Sequence, residues 1–169
     1  EGGYDLAVRI GDLPDSTLKA RKVGTTRLQV FAHRDYLARH GTPVTPQDLR
    51  QHNCLVYQHM RSGPNEWRFE GPSGSESVIV SGNFSAANGV PLYRAVKAGL
   101  GIALQPMFVL DEERDANIVH LLKEYCRREI GIYAVYPAGR KPPVNTRAFI
   151  DVLARVLSHK KATGDDPRD

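Results

Sequence analysis

His52, Cys54 and His59 stand close together, and imidazole and thiolate are zinc ligands when their spacing suits a tetrahedral site. Here the spacing matches no standard zinc pattern, and Cys54 opens the apolar run Cys54–Tyr57. Cys54 is therefore read as a small buried hydrophobe, and no metal is expected. Nucleophilic catalysis lacks its signature. Gly71-Pro72-Ser73-Gly74-Ser75 misses the last glycine of G-x-S-x-G. Gly99-x-Gly101 lacks the third glycine of a dinucleotide fingerprint and follows a helical stretch, where a helix-ending turn accounts for it. No P-loop occurs. The paired carboxylates Glu112-Glu113 fall on an expected exposed helix, where solvation is their ordinary state. No cofactor motif is present, and the sequence does not read as an enzyme.

The elements that would carry a site are legible. Tyr4–Ile10 reads as a strand, and its run of Leu6, Ala7, Val8 and Ile10 suggests burial on both faces of a parallel sheet. Leu28–Ala32, Cys54–Tyr57, Trp67–Phe69, Val78–Val80, Ile102–Leu104, Ile118–Leu122 and Ile132–Tyr136 read as further strands. Asp35 suits the cap of a short helix, Tyr36–Arg39, that stops at Gly41, and Thr45-Pro46 opens another. The small, polar stretch from Asn83 to Gly89 leads into a helix ending near Lys97. Phe108–Glu113 reads as a short helix. Thr146–Leu157 is the last helix, with Phe149, Ile150, Leu153, Val156 and Leu157 inward. The polar tail from Lys160 is expected to lack order. Strands alternating with helices give an α/β fold. An opening strand of central type needs neighbours, so earlier βα units are expected upstream.

Composition narrows the class. At 169 residues, 41% hydrophobic and 25% charged, the chain suits one soluble domain or two small lobes. The apolar stretch Gly99–Leu110 is broken by Gln105 and Pro106, too soon to cross a bilayer. The net charge of +4 is spread over pairs such as Arg127-Arg128 and Lys160-Lys161, without the basic, aromatic-interleaved stripe of a nucleic-acid groove. Cys54 and Cys126, far apart and without framework spacing, suit a reducing, cytoplasmic setting.

Several segments, in this order, resemble LysR-type transcriptional regulators of the CrgA-like branch. They are Asp5–Gly24 (DLAVRIGDLPDSTLKARKVG), Leu28–Tyr57, Trp67 with Phe69, Val80-Ser81-Gly82, Ala95–Pro106 (AVKAGLGIALQP) and Ile130–Leu153. The resemblance covers nearly all of the chain except its tail. It implies a two-lobed effector-binding domain of the type 2 periplasmic-binding-protein kind, its first lobe incomplete. Lobe one would hold residues 1–26 and 128–169, and lobe two residues 27–127. Crossovers would fall near Lys22–Arg27 and Arg127–Gly131. A small-molecule effector would bind between the lobes. DNA would be bound by an N-terminal winged helix-turn-helix absent from this chain. Such regulators assemble as homodimers or homotetramers. Tyr93, Arg94 and Lys97 would face a partner subunit, with Leu92 and Val96 turned to the core. The sequence departs from the family with Asn88-Gly89 where many members have Asn-Asp, and with Ala32-His33-Arg34 where many have Ala-Ser-Pro.

Open α/β sheets bind ligands at the carboxyl ends of their strands. That rule singles out Arg9, Ile10 and Gly11 in lobe one, and Gln58, His59 and Met60 in lobe two. Ser85, Ala87 and Asn88 precede a helix, whose free amides and dipole favour an anion. A carboxylate effector is the expectation. Each residue has a plainer reading beside this one. Arg9 could pair with a nearby acid, His59 could be an exposed loop residue, and Ser85 and Asn88 are common helix caps. An exported solute-binding protein of the same fold is the alternative function.

Overall fold

A computed structural model describes residues 4–11, 13, 17–60, 63, 65–107, 115–138 and 142–163. Phe108–Glu113, expected as a short helix, lies outside them. The chain packs as two units, Glu1–Thr26 with Glu129–Asp169, and Arg27–Arg128.

The first unit contains β1 (Ala7–Ile10), the opening part of β2 (Leu18–His33), β9 (Glu129–Pro137) and α3 (Val144–Thr163). Its strand order is β1-β9-β2. The expectation of a buried, parallel first strand fails here. β1 is antiparallel to β9, with Ala7 opposite Val135 and Ile10 opposite Ile132. It is exposed along its whole length, Val8 at 47% and Ile10 at 41%. A run of apolar residues records a tendency to be covered but not the direction of the neighbouring strand. Lys22–Arg27, expected as a crossover, is continuous strand inside β2, and the boundary between the two units falls within it, between Thr26 and Arg27. Val23, Ile132, Ala134 and Ile150 form the core, with Leu6, Tyr136, Leu153, Ala154 and Leu157 against it. Phe149 and Val156, expected inward on α3, are instead 53% and 52% exposed. The apolar positions of α3 occupy two faces, and the face of Ile150, Leu153 and Leu157 meets the core.

The second unit is built on the rest of β2 with β8 (Ile118–Leu121), β7 (Ile102–Pro106), β3 (Cys54–Tyr57) and β6 (Ser85–Ala86). β2 is antiparallel to both β7 and β8, whereas β3 is parallel to both β7 and β6. Alternation sorts the side chains. Val30, Ala32, Cys54, Val56, Ile102 and Leu104 face one cluster, while Phe31, Leu55 and Ala103 face the other. The first cluster is completed by Tyr36 and Leu37 of α1 (Arg34–His40), by Leu49 of the 3-10 turn Pro46–Gln51, and by the hairpin of β4 (Glu66–Gly71) and β5 (Gly74–Ile79). Trp67 is buried in that hairpin. The second cluster is closed by Leu92, Ala95 and Val96 of α2 (Gly89–Lys97).

Local chemistry sets the boundaries. The cap of α1 is His33, whose Nδ1 accepts from the Asp35 amide at 3.2 Å, and not Asp35 as the sequence suggests. Gly41 ends α1 at φ +84°, a left-handed conformation that glycine adopts freely. The 3-10 turn opens on Asp48, whose Oδ2 accepts from the Thr45 and Val44 amides at 2.8 and 2.9 Å. Those two amides hold the carboxyl below its ordinary range.

Backbone packing is tightest around β3. A Cβ on Gly101 would sit 2.2 Å from Asn53 O, and one on Gly82 would sit 2.0 Å from Cys54 O. Neither backbone oxygen can easily swing away, because Asn53 O accepts from the Ile102 amide and Cys54 opens β3 between its two neighbouring strands. Gly101→Ala is expected to destabilise the chain by about 3 kcal/mol, as overpacking against backbone does. Urea denaturation with an unchanged slope and a lowered midpoint would report it.

Candidate effector-binding site

In the second unit the carboxyl ends of β3 and β6 lie side by side, with Val56 opposite Ser85 and Tyr57 opposite Ala86. The Gln58 amide continues the pairing by donating to Ala86 O at 3.0 Å. Its side-chain Nε2 donates to Ser85 Oγ, also at 3.0 Å. Two residues on, Asn88 caps α2, its Oδ1 accepting from the Val90 amide at 3.0 Å. Gln58, Ser85, Ala87 and Asn88 are thus brought together at two strand ends and one helix start, and all four are exposed.

The helix end is narrower than the sequence suggests. Asn88 takes the Val90 amide for itself, and Pro91 has no amide to offer. An anion arriving here would meet the Gly89 amide and the α2 dipole. Met60 does not share the exposed set. It is half-buried against the first cluster, and its amide closes a turn onto Tyr57 O at 3.4 Å. His59 is exposed, its ring edge-on to Tyr57 at 5.8 Å. Arg9, Ile10 and Gly11 belong to the first unit, at the carboxyl end of β1. Arg9 stands opposite Tyr133, and the Gly11 amide donates to Gly131 O at 2.9 Å.

Sequence reasoning missed Gln105. It sits in β7 opposite Gln29 of β2, is 2% exposed, and donates through Nε2 to Gly89 O at 3.2 Å on the first turn of α2. The signal was in the sequence. Gln105 is the polar residue inside Ile102–Pro106, and it was read there only as a break in an apolar stretch.

The three expected interface residues on α2 differ in their surroundings. Arg94 is exposed. Tyr93 is half-buried, its ring edge-on to Phe31 at 6.1 Å. Lys97 Nζ pairs with Asp115 at 2.8 Å and lies 5.7 Å from the Tyr93 ring. The hydrogen bond from Lys97 holds the Asp115 carboxyl below its ordinary range.

His52, Cys54 and His59 are not a metal set. Tyr36 Oη lies 3.2 Å from His52 Nδ1, and Cys54 Sγ donates to Leu49 O at 3.5 Å. Burial pushes the Cys54 thiol up to about 12 and raises that of Cys126, so neither is a nucleophilic thiolate. A depression of about 390 Å³ lies on the β4–β5 hairpin, lined by Glu66, Arg68, Glu70, Glu76 and Arg128 among others. Its charges pair internally, Arg68 with Glu66 at 3.2 Å and Arg128 with Glu70 at 3.9 Å.

A family model described as the LysR substrate binding domain matches residues 1–158. The chain belongs to the LysR substrate-binding domain family. An uncharacterised HTH-type transcriptional regulator of Haemophilus influenzae is 36% identical over 143 residues, which is 84% of this chain and 49% of that protein. The HTH-type transcriptional regulator CrgA of Neisseria meningitidis is 32% identical over 161 residues, 94% of this chain and 53% of CrgA. The chain therefore spans about half the length of these relatives. The solved regulatory domain of CrgA, a LysR-type regulator, superposes with a TM-score of 0.77 at 31% identity, covering 90% of this chain and 75% of that domain. The α/β fold is accordingly the type 2 periplasmic-binding fold of LysR regulatory domains. Among the described residues no helix is long and apolar enough to cross a membrane.

His52 gives this unit a pH dependence. Burial lowers its pKa from the ordinary 6.5, the neighbouring His40 lowers it further, and Asp48 opposes them. The folded chain thus favours neutral imidazole. Its contribution is complete above pH 6.5 and is lost as pH falls through the lowered folded value. Asp48, Glu66 and Asp115, with carboxyls already below the ordinary range, lose theirs at more acid pH. Thermal unfolding midpoints are expected to fall as pH drops below 6.5. His52→Gln, which keeps a hydrogen-bonding group for Tyr36 but does not titrate, should flatten that first part of the profile. An unchanged slope in the variant would assign the loss to another group.

Proposed function

We propose that this LysR-family chain is the effector-binding and oligomerisation part of a cytoplasmic bacterial DNA-binding regulator, and that its effector is a small anion or carboxylate. On this reading the two units are the lobes of the sensor. DNA contact belongs to a helix-turn-helix domain of the kind named in its relatives. The observation that carries the effector reading is the meeting of Gln58, Ser85 and Asn88 at two parallel strand ends and the start of α2. Neutral donors and a helix dipole suit a carboxylate, and small side chains at Ala86, Ala87 and Gly89 let a ligand approach the backbone. Arg9, with Ile10 and Gly11 beside it at the end of β1, is proposed as the first unit's effector contact. The HTH-type names of the relatives favour a regulator over an exported solute-binding protein.

The test is a thermal-shift screen of carboxylate metabolites on the full-length protein. Asn88→Leu should block the helix end at a cost of about 1 kcal/mol for the lost cap. Asn88→Asp keeps a capping oxygen but adds a negative charge, and should weaken carboxylate binding about tenfold or more. Arg9→Ala should weaken it comparably if the first unit takes part. Equal responses from wild type and both Asn88 variants would show that the ligand lies elsewhere.

For assembly, we infer that the α2 surface of Tyr93, Arg94 and Lys97 meets another subunit. Arg94→Glu should lower the mass of the full-length protein in light scattering. A wild-type protein that is already monomeric would remove this part of the reading.

A further inference from the structure

Gln105 carries an oxygen that the reading so far leaves unused. The side chain is 2% exposed in a strand otherwise made of Ile102, Ala103, Leu104 and Pro106. Its Nε2 donates to Gly89 O, and its Oε1 accepts from no described residue. The amide cannot simply be turned over, because Oε1 would then oppose the Gly89 carbonyl, acceptor against acceptor. Gln29, directly opposite across β2 and β7, does not supply the missing donor, since its Nε2 faces Val30 O at 3.2 Å and Leu121 O at 2.8 Å. A buried polar atom without a partner is uncommon in proteins and calls for a physical account. This one lies at the first turn of α2, where the candidate effector site is built.

We propose that Gln105 is a specificity-determining residue, and that the effector is a carboxylate bearing a hydroxyl or ammonium group on the carbon beside the carboxylate. The inference rests on the carboxylate reading of the same site. The Gly89 amide meets the carboxylate, and Gln105 Oε1 accepts from the neighbouring donor. Gln105 is bonded to the carbonyl of the same Gly89 whose amide is proposed to meet the anion, so donor and carboxylate on neighbouring ligand carbons are the arrangement proposed. Oε1 is closed over, and the donor reaches it as the first turn of α2 shifts. That turn is poorly braced. It contains Gly89 and Pro91, has no acidic residue, and is held by the Asn88 cap and the Gln105 bond. The Gln105 side chain follows the turn through its Nε2 bond to Gly89, and the ligand takes the other end of the amide.

Matched carboxylates separate this inference from the reading beneath it. The full-length protein would be titrated with acetate, glycolate and glycine, with propionate, lactate and alanine, and with phenylacetate, mandelate and phenylglycine. Hydroxy and amino members distinguish the two donor types. Within a responding set the donor-bearing acid should bind about tenfold tighter than the plain acid, as one satisfied buried acceptor implies. In Gln105→Met, of similar length but without the amide, that preference should fall to within about twofold. Loss of the bond to Gly89 should weaken the plain acid as well, so the ratio is what is read: the donor-bearing acid should lose about fivefold or more beyond its plain partner, whereas a merely structural role for Gln105 would weaken every member alike. Equal binding of plain and donor-bearing acids by wild type, or a preference that survives in Gln105→Met, overturns the role of Gln105 and leaves the carboxylate site standing. No response to any member of the panel overturns the carboxylate reading itself.

Discussion

The second unit depends on how closely backbone packs around the start of β3. Asn53 and Cys54 are flanked by Gly82 and Gly101, at positions where any Cβ would collide with a backbone oxygen. The close approach is used for hydrogen bonding. The Cys54 amide donates to Ser81 O, the Ile102 amide donates to Asn53 O, and the Asn53 amide donates to Tyr36 Oη, each at 2.9 Å. The Asn53 side chain adds bonds to Asn83 Oδ1 and Leu100 O at 2.9 and 2.6 Å. One asparagine therefore ties together the chain entering β3, the chain leading to β6 and the chain entering β7. Once those three start in register, their carboxyl ends arrive together. Gln58 comes to Ser85, and Gln105 comes beneath Gly89, without further instruction.

The sheet so formed is covered differently on its two faces. One face carries Trp67, Phe69, Tyr36 and Leu49, large side chains supplied by a hairpin and two short turns of helix. The other carries Leu55, Phe31 and Ala103 beneath α2. Ala103 and Ala95 allow α2 to lie close to the strands. The helix follows β6 after only two residues, so its start is held near the strand ends. Packing of Leu92 and Val96 anchors the second half of α2, while its first turn relies on Asn88 and Gln105. The helix is thus firm where it meets the core and lightly held where a ligand would touch it, the distribution of local stability common at binding sites.

How much of this was legible follows from what each signal encodes. The run Cys54–Tyr57 gave β3 with its observed limits, because four consecutive apolar residues between polar neighbours leave little choice. The start of α2 was legible to within a few residues, since cap chemistry is local: Ser85 and Asn88 were both cap candidates, and Asn88 is the one used. β2 was only half seen. Its first part, rich in lysine and arginine and exposed, has no core-facing alternation strong enough to announce a strand. The direction of β1 could not be read, because hydrophobicity carries no polarity. The two-residue β6 was hidden in a loop-like composition. Gln105 illustrates the commonest blind spot. A polar residue inside a buried strand looks like noise until its partner, here a carbonyl 16 positions away, is placed beside it.

The character of the strand-end site also bears on how it would discriminate. The residues gathered there, Gln58, Ser85, Ala87, Asn88 and Gly89, carry no formal charge, and His59 is the titratable residue adjoining them in sequence. Within the second unit, an anion would be held by backbone and amide dipoles fixed by the sheet rather than by a long cationic side chain. Fixed dipoles lose little conformational freedom on binding, whereas an arginine or lysine must be immobilised. Dipoles also point in definite directions, so they reward a ligand whose oxygens match them and give little to one that merely bears charge. A lysine-lined pocket would attract any anion. A site of oriented amides above a buried glutamine, as proposed here, would select by the placement of acceptors and donors, which is the property an effector-binding domain needs among the many acids of a cell.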